Sequence, residues 1–267
     1  MFYGSKICFI RIEVSHRLER SSAMTNIEKF AHIIKSSSRI VFFGGAGVST
    51  ESGLKDYRSA DGIYNTAKNY GVPPEEILSH DCVYNNSELF YRFFRDYFIT
   101  DAKPGYTHEF LANLEQSGKH ITIVTQNIDG LHQKAGSSHV CELHGNASEF
   151  YCVNCMEEYD LDYVKNYKEN IPKCKRCGGL VRPHVTMYGE MLDNEVISDA
   201  LNEISSADVI IIGGTSLAVQ PAASFVGYFN GEHTIIINKE TTPYDSKAEM
   251  VFHDSLGEVF RKVSKLL

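Results

Sequence analysis

At 267 residues the chain is long enough for one large domain, or for one large domain carrying a small insert. Its composition, 43% apolar and 22% charged, is that of an ordinary globular protein, and no stretch approaches the roughly 20 apolar residues of a membrane span. A net charge of −8 argues against direct nucleic-acid binding, which needs a basic face, and it suits a basic partner such as a lysine-bearing protein tail.

In chain order, residues 1–24 read as a disordered N-terminal extension. Ile7-Cys8-Phe9-Ile10 is too short for a signal sequence, and Arg11, Arg17 and Arg20 follow it instead of preceding it. Thr25 with Glu28 predicts a capping box, and Ile27, Phe30, Ala31 and Ile34 share the face of the helix it opens. Ile40–Phe43 is then a continuous apolar run that ends in Gly44-Gly45-Ala46-Gly47-Val48-Ser49. Three later runs have the same form: Ile121–Val124 into Thr125-Gln126-Asn127, Val209–Ile212 into Gly213-Gly214-Thr215-Ser216, and Ile235–Ile237 into Asn238. Such runs suit strands covered on both faces. Helical patterns lie between them, as at Phe110, Leu111 and Leu114 with Gly118 as a stop. The alternation predicts an α/β fold with a Rossmann-like, doubly wound parallel sheet, whose ligand lies beyond the carboxyl ends of its strands. Residues 25–143 and 188–267 form this large domain. Within it, about 54–100 reads as a mobile cofactor loop followed by an aromatic helix belonging to a smaller unit.

The segment 144–187 interrupts the pattern. Cys152, Cys155, Cys174 and Cys177 are spaced as two C-x2-C pairs, which predicts a closed tetrahedral zinc site inside a small inserted module. Four thiolates leave no open position, so this zinc holds structure and does no chemistry. Lys173, Lys175, Arg176 and Arg182 make a local basic patch that reads as a solvated face. Cys8, Cys82 and Cys141 look like reduced thiols, and the expected setting is cytoplasmic.

The strand ends carry the chemistry. The glycines after the first run let backbone N–H groups approach a pyrophosphate, although Thr50 stands where a third fingerprint glycine would be and a tight turn explains this loop alone equally well. A second such loop at Gly213–Ser216 favours a dinucleotide. Gln126, Asn127 and Asp129 crowd one strand end, where amides that both donate and accept can orient a ligand carboxamide and ribose. His144 stands at the domain junction, and imidazole is the natural general base near neutral pH.

Together these features resemble the sirtuin family of NAD-dependent protein deacylases, in its bacterial form. The resemblance rests on Gly45-Ala46-Gly47-Val48-Ser49, Gln126-Asn127-Ile128-Asp129, His144-Gly145, the four cysteines, Arg182-Pro183-His184-Val185 with Tyr188-Gly189-Glu190, Gly214-Thr215-Ser216 and Asn238, in family order across about residues 25–260. One departure is Lys55, where the family usually has a proline before Asp56; it frees φ and adds a charge. The resemblance implies that NAD is held by Gly45, Ala46, Gly47, Ser49, Asp56, Tyr57, Arg58, Gln126, Gly214, Thr215, Ser216 and Asn238. Asn127 and Asp129 would serve both NAD and catalysis by positioning nicotinamide and its ribose, with His144 as base. It also implies that the acyl oxygen of an acyl-lysine attacks the ribose carbon as nicotinamide leaves, giving free lysine and O-acyl-ADP-ribose. The peptide would add as a strand between segments near 187–191 and 217–220, touching Val185, Tyr188, Gly189 and Glu190. Sirtuins selective for acidic acyl groups carry Tyr-x-x-Arg in the acyl pocket. Here Tyr91 and Phe94 hold those positions, and Arg95 is turned about 100° away, which predicts a neutral acyl group, acetyl first. A mono-ADP-ribosyltransferase on the same fold is the alternative.

Overall fold

The structure is a computed structural model that describes residues 24–57, 59, 62–66 and 70–267. Its strands are β1 (Arg39–Gly44), β2 (His120–Thr125), β3 (Val140–Glu142), β4 (Gly145–Cys152), β5 (Glu158–Asp160), β6 (Val181–Val185), β7 (Val209–Gly213), β8 (His233–Ile237) and β9 (Met250–Phe252). The helices are α1 (Asn26–Ser36), α2 (Ile63–Thr66), α3 (Pro74–Ile77), α4 (His80–Asn85), α5 (Ser87–Tyr97), α6 (Tyr106–Gln116), α7 (Leu131–Ala135), α8 (Leu161–Lys165), α9 (Asn194–Ser206) and α10 (Leu256–Ser264). No helix among the described residues is long and apolar enough to cross a membrane.

The four apolar runs become β1, β2, β7 and β8, parallel and in register, within a six-stranded sheet of order β3-β2-β1-β7-β8-β9. Alternation sends Ile40 and Phe42 to one face and Val41 and Phe43 to the other. The first face packs under α1, α6 and α10; the second packs under α9 and the 3₁₀ turn Ala222–Tyr228. Both faces are therefore covered, which is why the runs are apolar apart from Thr122 of β2, whose buried hydroxyl donates to Glu203 at 2.8 Å. β3 and β9 leave no signal in the sequence. Each is a three-residue edge strand, too short to show a pattern. At the other end of the chain, the predicted capping box forms: Thr25 Oγ1 accepts from the Glu28 N–H, and the Thr25 N–H donates to Glu28 Oε2.

The chain winds one way from β1 through β3 and the other way from β7 through β9, so the order reverses between β1 and β7. That reversal opens a crevice at their carboxyl ends. The inserted segment folds as an antiparallel sheet, β5-β4-β6. Its core is shared with the aromatic helix: Phe90, Tyr91, Phe93 and Phe94 of α5 pack with Phe150, Val164, Val181 and Met187. The helices from 74 to 97 thus lean on the zinc sheet. The N-terminal extension, apart from Met24, and Arg58 lie outside the described residues.

Candidate active site

A cavity of about 1020 Å³ runs along the carboxyl ends of β1, β2, β7 and β8 and under the cysteine-bearing unit. Its floor begins with two loops pressed together. A Cβ on Gly47 would lie 2.7 Å from the Gly214 Cα, and one on Gly214 would lie 2.5 Å from the Val48 nitrogen. The Gly47 N–H donates to the Gly214 carbonyl at 2.8 Å, and Gln126 Nε2 donates to Thr215 Oγ1 at 3.0 Å. Glycines are needed here because any side chain would wedge the loops apart. Gly45, Ala46, Gly47, Gln126, Gly214, Thr215, Ser216 and Asn238 line this end, and Asp56 and Tyr57 reach it from the loop after β1.

Ser49 and Asp129 stand behind that wall instead of lining it. The Asp129 carboxylate accepts the Ser49 hydroxyl at 2.6 Å and, through its other oxygen, the Leu131 N–H at 2.9 Å. Since the carboxylate only accepts, Ser49 donates to it and takes a hydrogen bond from Asn127 Nδ2 at 3.0 Å. The chain of bonds fixes the Asn127 amide with its nitrogen inward, which leaves its oxygen to accept from a ligand. Asn127 is 8% exposed, so little water competes for it.

His144 sits where β3 passes into β4, half-buried and lining the cavity. A Cβ at Gly145 would lie 1.9 Å from the His184 carbonyl oxygen, so glycine alone lets the backbone turn there, at φ 78°. The His144 Nδ1 lies 2.9 Å from the Gln126 carbonyl. A carbonyl can only accept, so Nδ1 carries the proton and Nε2 is a free base. Burial lowers the imidazole pKa, partly offset by the Gln126 bond, so the ring is neutral at neutral pH.

The far end of the cavity is apolar: Leu78, Phe94, Phe98, Ile128, Val185 and Met187. Tyr91 is not part of it. Fully buried, its hydroxyl donates to the Val181 carbonyl and ties α5 to β6, which corrects its assignment to the acyl pocket. Arg95 is also turned away and donates to the Glu169 and Asn170 carbonyls. Phe98 joins the acyl end beyond the residues expected from the sequence, although its spacing of four from Phe94 puts both on one helix face. Glu51 is a further lining residue beyond those expected from the sequence, and it accepts from Thr107 and from the Gly257 N–H. Partners 56 and 206 residues away leave no local signal.

Tyr188, Gly189 and Glu190 line the mouth, with Val219, Gln220 and Pro221 also on the cavity wall. Glu190 is held by Arg182 through two hydrogen bonds of 2.6 and 2.9 Å, and it accepts from the Met187 N–H at 2.9 Å. Burial alone would raise the Glu190 pKa, but the bonds and charge of Arg182 and the Met187 N–H bring it below the usual value.

The four cysteine sulfurs cluster, with contacts of 3.4 Å (Cys152–Cys177), 3.6 Å (Cys155–Cys174) and 3.4 Å (Cys155–Cys177). Four thiolates about 2.3 Å from one zinc would be about 3.8 Å apart, so the cluster fits a structural zinc ion after slight expansion. The Asn154 and Arg176 N–H groups and the Tyr159 hydroxyl point at these sulfurs, as partners for anionic thiolates.

A model of the Sir2 family matches residues 45–221. The chain is 49% identical over 241 residues to an NAD-dependent protein deacetylase of Clostridium acetobutylicum, covering 90% of this chain and 98% of that one. It is 50% identical over 239 residues to an enzyme of the same name from Clostridium perfringens, covering 89% and 98%. A solved structure of Sir2 with a p53 peptide and NAD+ superposes with a TM-score of 0.81 at 34% identity, covering 90% of this chain and 98% of that chain. Sir2 bound to an acetylated peptide superposes at 0.80 and 32% identity, with the same coverage.

Proposed function

The chain belongs to the Sir2 family and is an NAD-dependent protein deacetylase, and we propose that the cavity at the β1/β7 reversal is its active site with His144 as general base. The observation that carries this reading is the Gln126 carbonyl on His144 Nδ1, which leaves Nε2 unprotonated in a half-buried site at the cavity wall.

The paired glycine loops would hold the pyrophosphate of NAD, with Asn238 and Ser216 flanking it. Asn127, locked by Ser49 and Asp129, would present its carbonyl oxygen to the nicotinamide end. When bound, NAD supplies an electrophilic ribose carbon and nicotinamide as the leaving group. His144 would then take a proton from a ribose hydroxyl as that oxygen turns to the acyl carbon. The acyl chain would lie among Phe94, Phe98, Ile128 and Val185, whose apolar walls exclude water. The substrate backbone would run between segments 187–191 and 217–220 as an added strand, so lysine sites should be read more by main chain than by sequence. Protein acyl-lysines in the cytoplasm are the expected substrates, and nucleic acid is not among the expected partners.

The test is mass spectrometry of an acetyl-lysine peptide incubated with the protein, with and without NAD. NAD-dependent loss of acetyl with O-acetyl-ADP-ribose formed is the expected result. An unchanged peptide, with ADP-ribose appearing on protein, would replace this reading with the transferase.

A further inference from the structure

A second group of metal-binding side chains lies outside the cavity lining, where β2 and β3 meet α9. His139 immediately precedes β3 and Cys141 is the middle residue of that strand; two apart in extended chain, both side chains reach Asp199. Asp199 and Glu203 are four apart on α9 and share a helix face. His139 Nε2 lies 3.4 Å from Asp199 Oδ2, and Cys141 Sγ lies 3.2 Å from the same oxygen. One donor atom from each of the three lies within 4.8 Å of the others. Around a zinc-sized cation, with bonds of about 2.0–2.3 Å, tetrahedral ligands sit roughly 3.3–3.5 Å apart. The two spacings to Asp199 Oδ2, 3.4 and 3.2 Å, are already close to those edges, and the His139–Cys141 edge lies within 4.8 Å.

His139 also belongs to a second group, with His120 and Glu203. That group is the poorer host, because Glu203 already meets the Arg39 guanidinium at 3.0 Å and accepts the Thr122 hydroxyl at 2.8 Å. A cation there would have to displace the arginine. Asp199 has no such competitor: among the described residues, its hydrogen bonds and ion pair are with His139 and Cys141.

We propose that His139 Nε2, Cys141 Sγ and Asp199 Oδ2 form a second metal site, for a divalent first-row transition cation of the zinc and cobalt class. A thiolate and an imidazole in a three-ligand set select against magnesium and calcium, which take oxygen. The outer contacts suit the role. His139 Nδ1 is 3.4 Å from Thr122 Oγ1, so the ring nitrogen away from the cation has a hydrogen-bond partner, and Thr122 is in turn fixed on Glu203. Cys141 is buried against the apolar core, while Asp199 is exposed and offers the entry path. On binding, the Cys141 thiol gives its proton to solvent, and the fourth position is left to water. The site would clamp the β3 edge to α9, three residues before His144 in the chain.

Protein carrying its structural zinc is titrated with Co²⁺ and followed by thiolate-to-cobalt charge-transfer absorption in the near ultraviolet. The expected result is a single further equivalent bound, with the band lost in Cys141→Ser and affinity weakened roughly tenfold or more in Asp199→Asn. Both variants should retain their structural zinc, measured by its release on denaturation. Asp199 is exposed, so its variant tests the site without disturbing the core. Absence of uptake beyond the structural zinc would overturn the proposal. So would a band of full strength in Cys141→Ser, which would place cobalt in the four-cysteine cluster by exchange.

Discussion

At the scale of single residues, the site depends on hydrogen bonds whose direction chemistry dictates. Gln126 offers His144 only a carbonyl, and Asp129 offers Ser49 only acceptors, so a proton location and an amide orientation both follow. His144→Ala should lower deacetylation roughly 10²–10⁴-fold while NAD affinity, measured by calorimetry, stays near that of the parent. Because burial lowers the His144 pKa, the basic form dominates above it, so kcat/KM should be level near pH 7 and fall only below about 6.5. A limb centred above pH 7 would point to another base. The acyl end makes a separate claim. With Arg95 committed to Glu169 and Asn170 and Phe94 lining the cavity, nothing cationic on α5 meets a carboxylate there. A succinyl-lysine peptide should turn over at least roughly tenfold more slowly than its acetyl counterpart, the penalty of an unpaired charge in an apolar channel. Equal rates in a competition assay would contradict this.

Elements are held in register by a few buried polar ties. Tyr91 pins α5 to the Val181 carbonyl of β6, and Arg182 of β6 grips Glu190 in the segment that follows. The Arg182 side chain is 4% exposed and also faces the rings of Tyr84 and Tyr151. Removing its partner would strand a buried guanidinium. Glu190→Ala should cost roughly 3 kcal/mol, near the low end for a broken buried pair because Glu190 keeps an edge toward the cavity. For a chain of this length that is a fall in Tm of roughly 6–12 °C. The loosened 187–191 segment should also raise the peptide KM. An unchanged Tm would show that the pair contributes nothing net.

For the whole molecule, stability should depend on metal and on pH. The cysteine cluster and α5 share one apolar core, so losing zinc should loosen the whole smaller unit. Cys174→Ser, or chelation, should lower Tm and abolish turnover together; a variant that stays folded and active without zinc would contradict the structural role. His108 and His132 are buried side by side with ring centroids 4.6 Å apart, and neither His132 nitrogen has a hydrogen-bond partner among the described residues. Burial lowers both pKa values, as it does that of His144. Below about pH 6.5 the unfolded chain therefore binds more protons than the folded one, and stability is lost as pH falls. Glu142, raised by burial, acts in the opposite sense nearer its own range, and lowered carboxyls such as Asp208 act only at lower pH. Tm should drop between pH 7.5 and 5.5, and by less in His132→Leu; a flat profile in the parent would show that protonation is accommodated.

The four apolar runs determined the parallel sheet from sequence, because strands covered on both faces carry their signature locally and continuously. The zinc set and the glycine loops were legible for the same reason: ligand spacing and close backbone approach are written within a few residues. Tertiary structure alone decided the rest. The edge strands β3 and β9 take their form from a neighbour, through ladders too short to leave a pattern. Tyr91 and Phe94 are three apart on one helix, yet only packing against β6 sends one to a backbone carbonyl and the other to the cavity. Ser49 and Asn127 meet across 78 positions of chain, and Cys141 and Asp199 across 58. Contacts at such separations depend on how the sheet winds, which no local run of residues encodes.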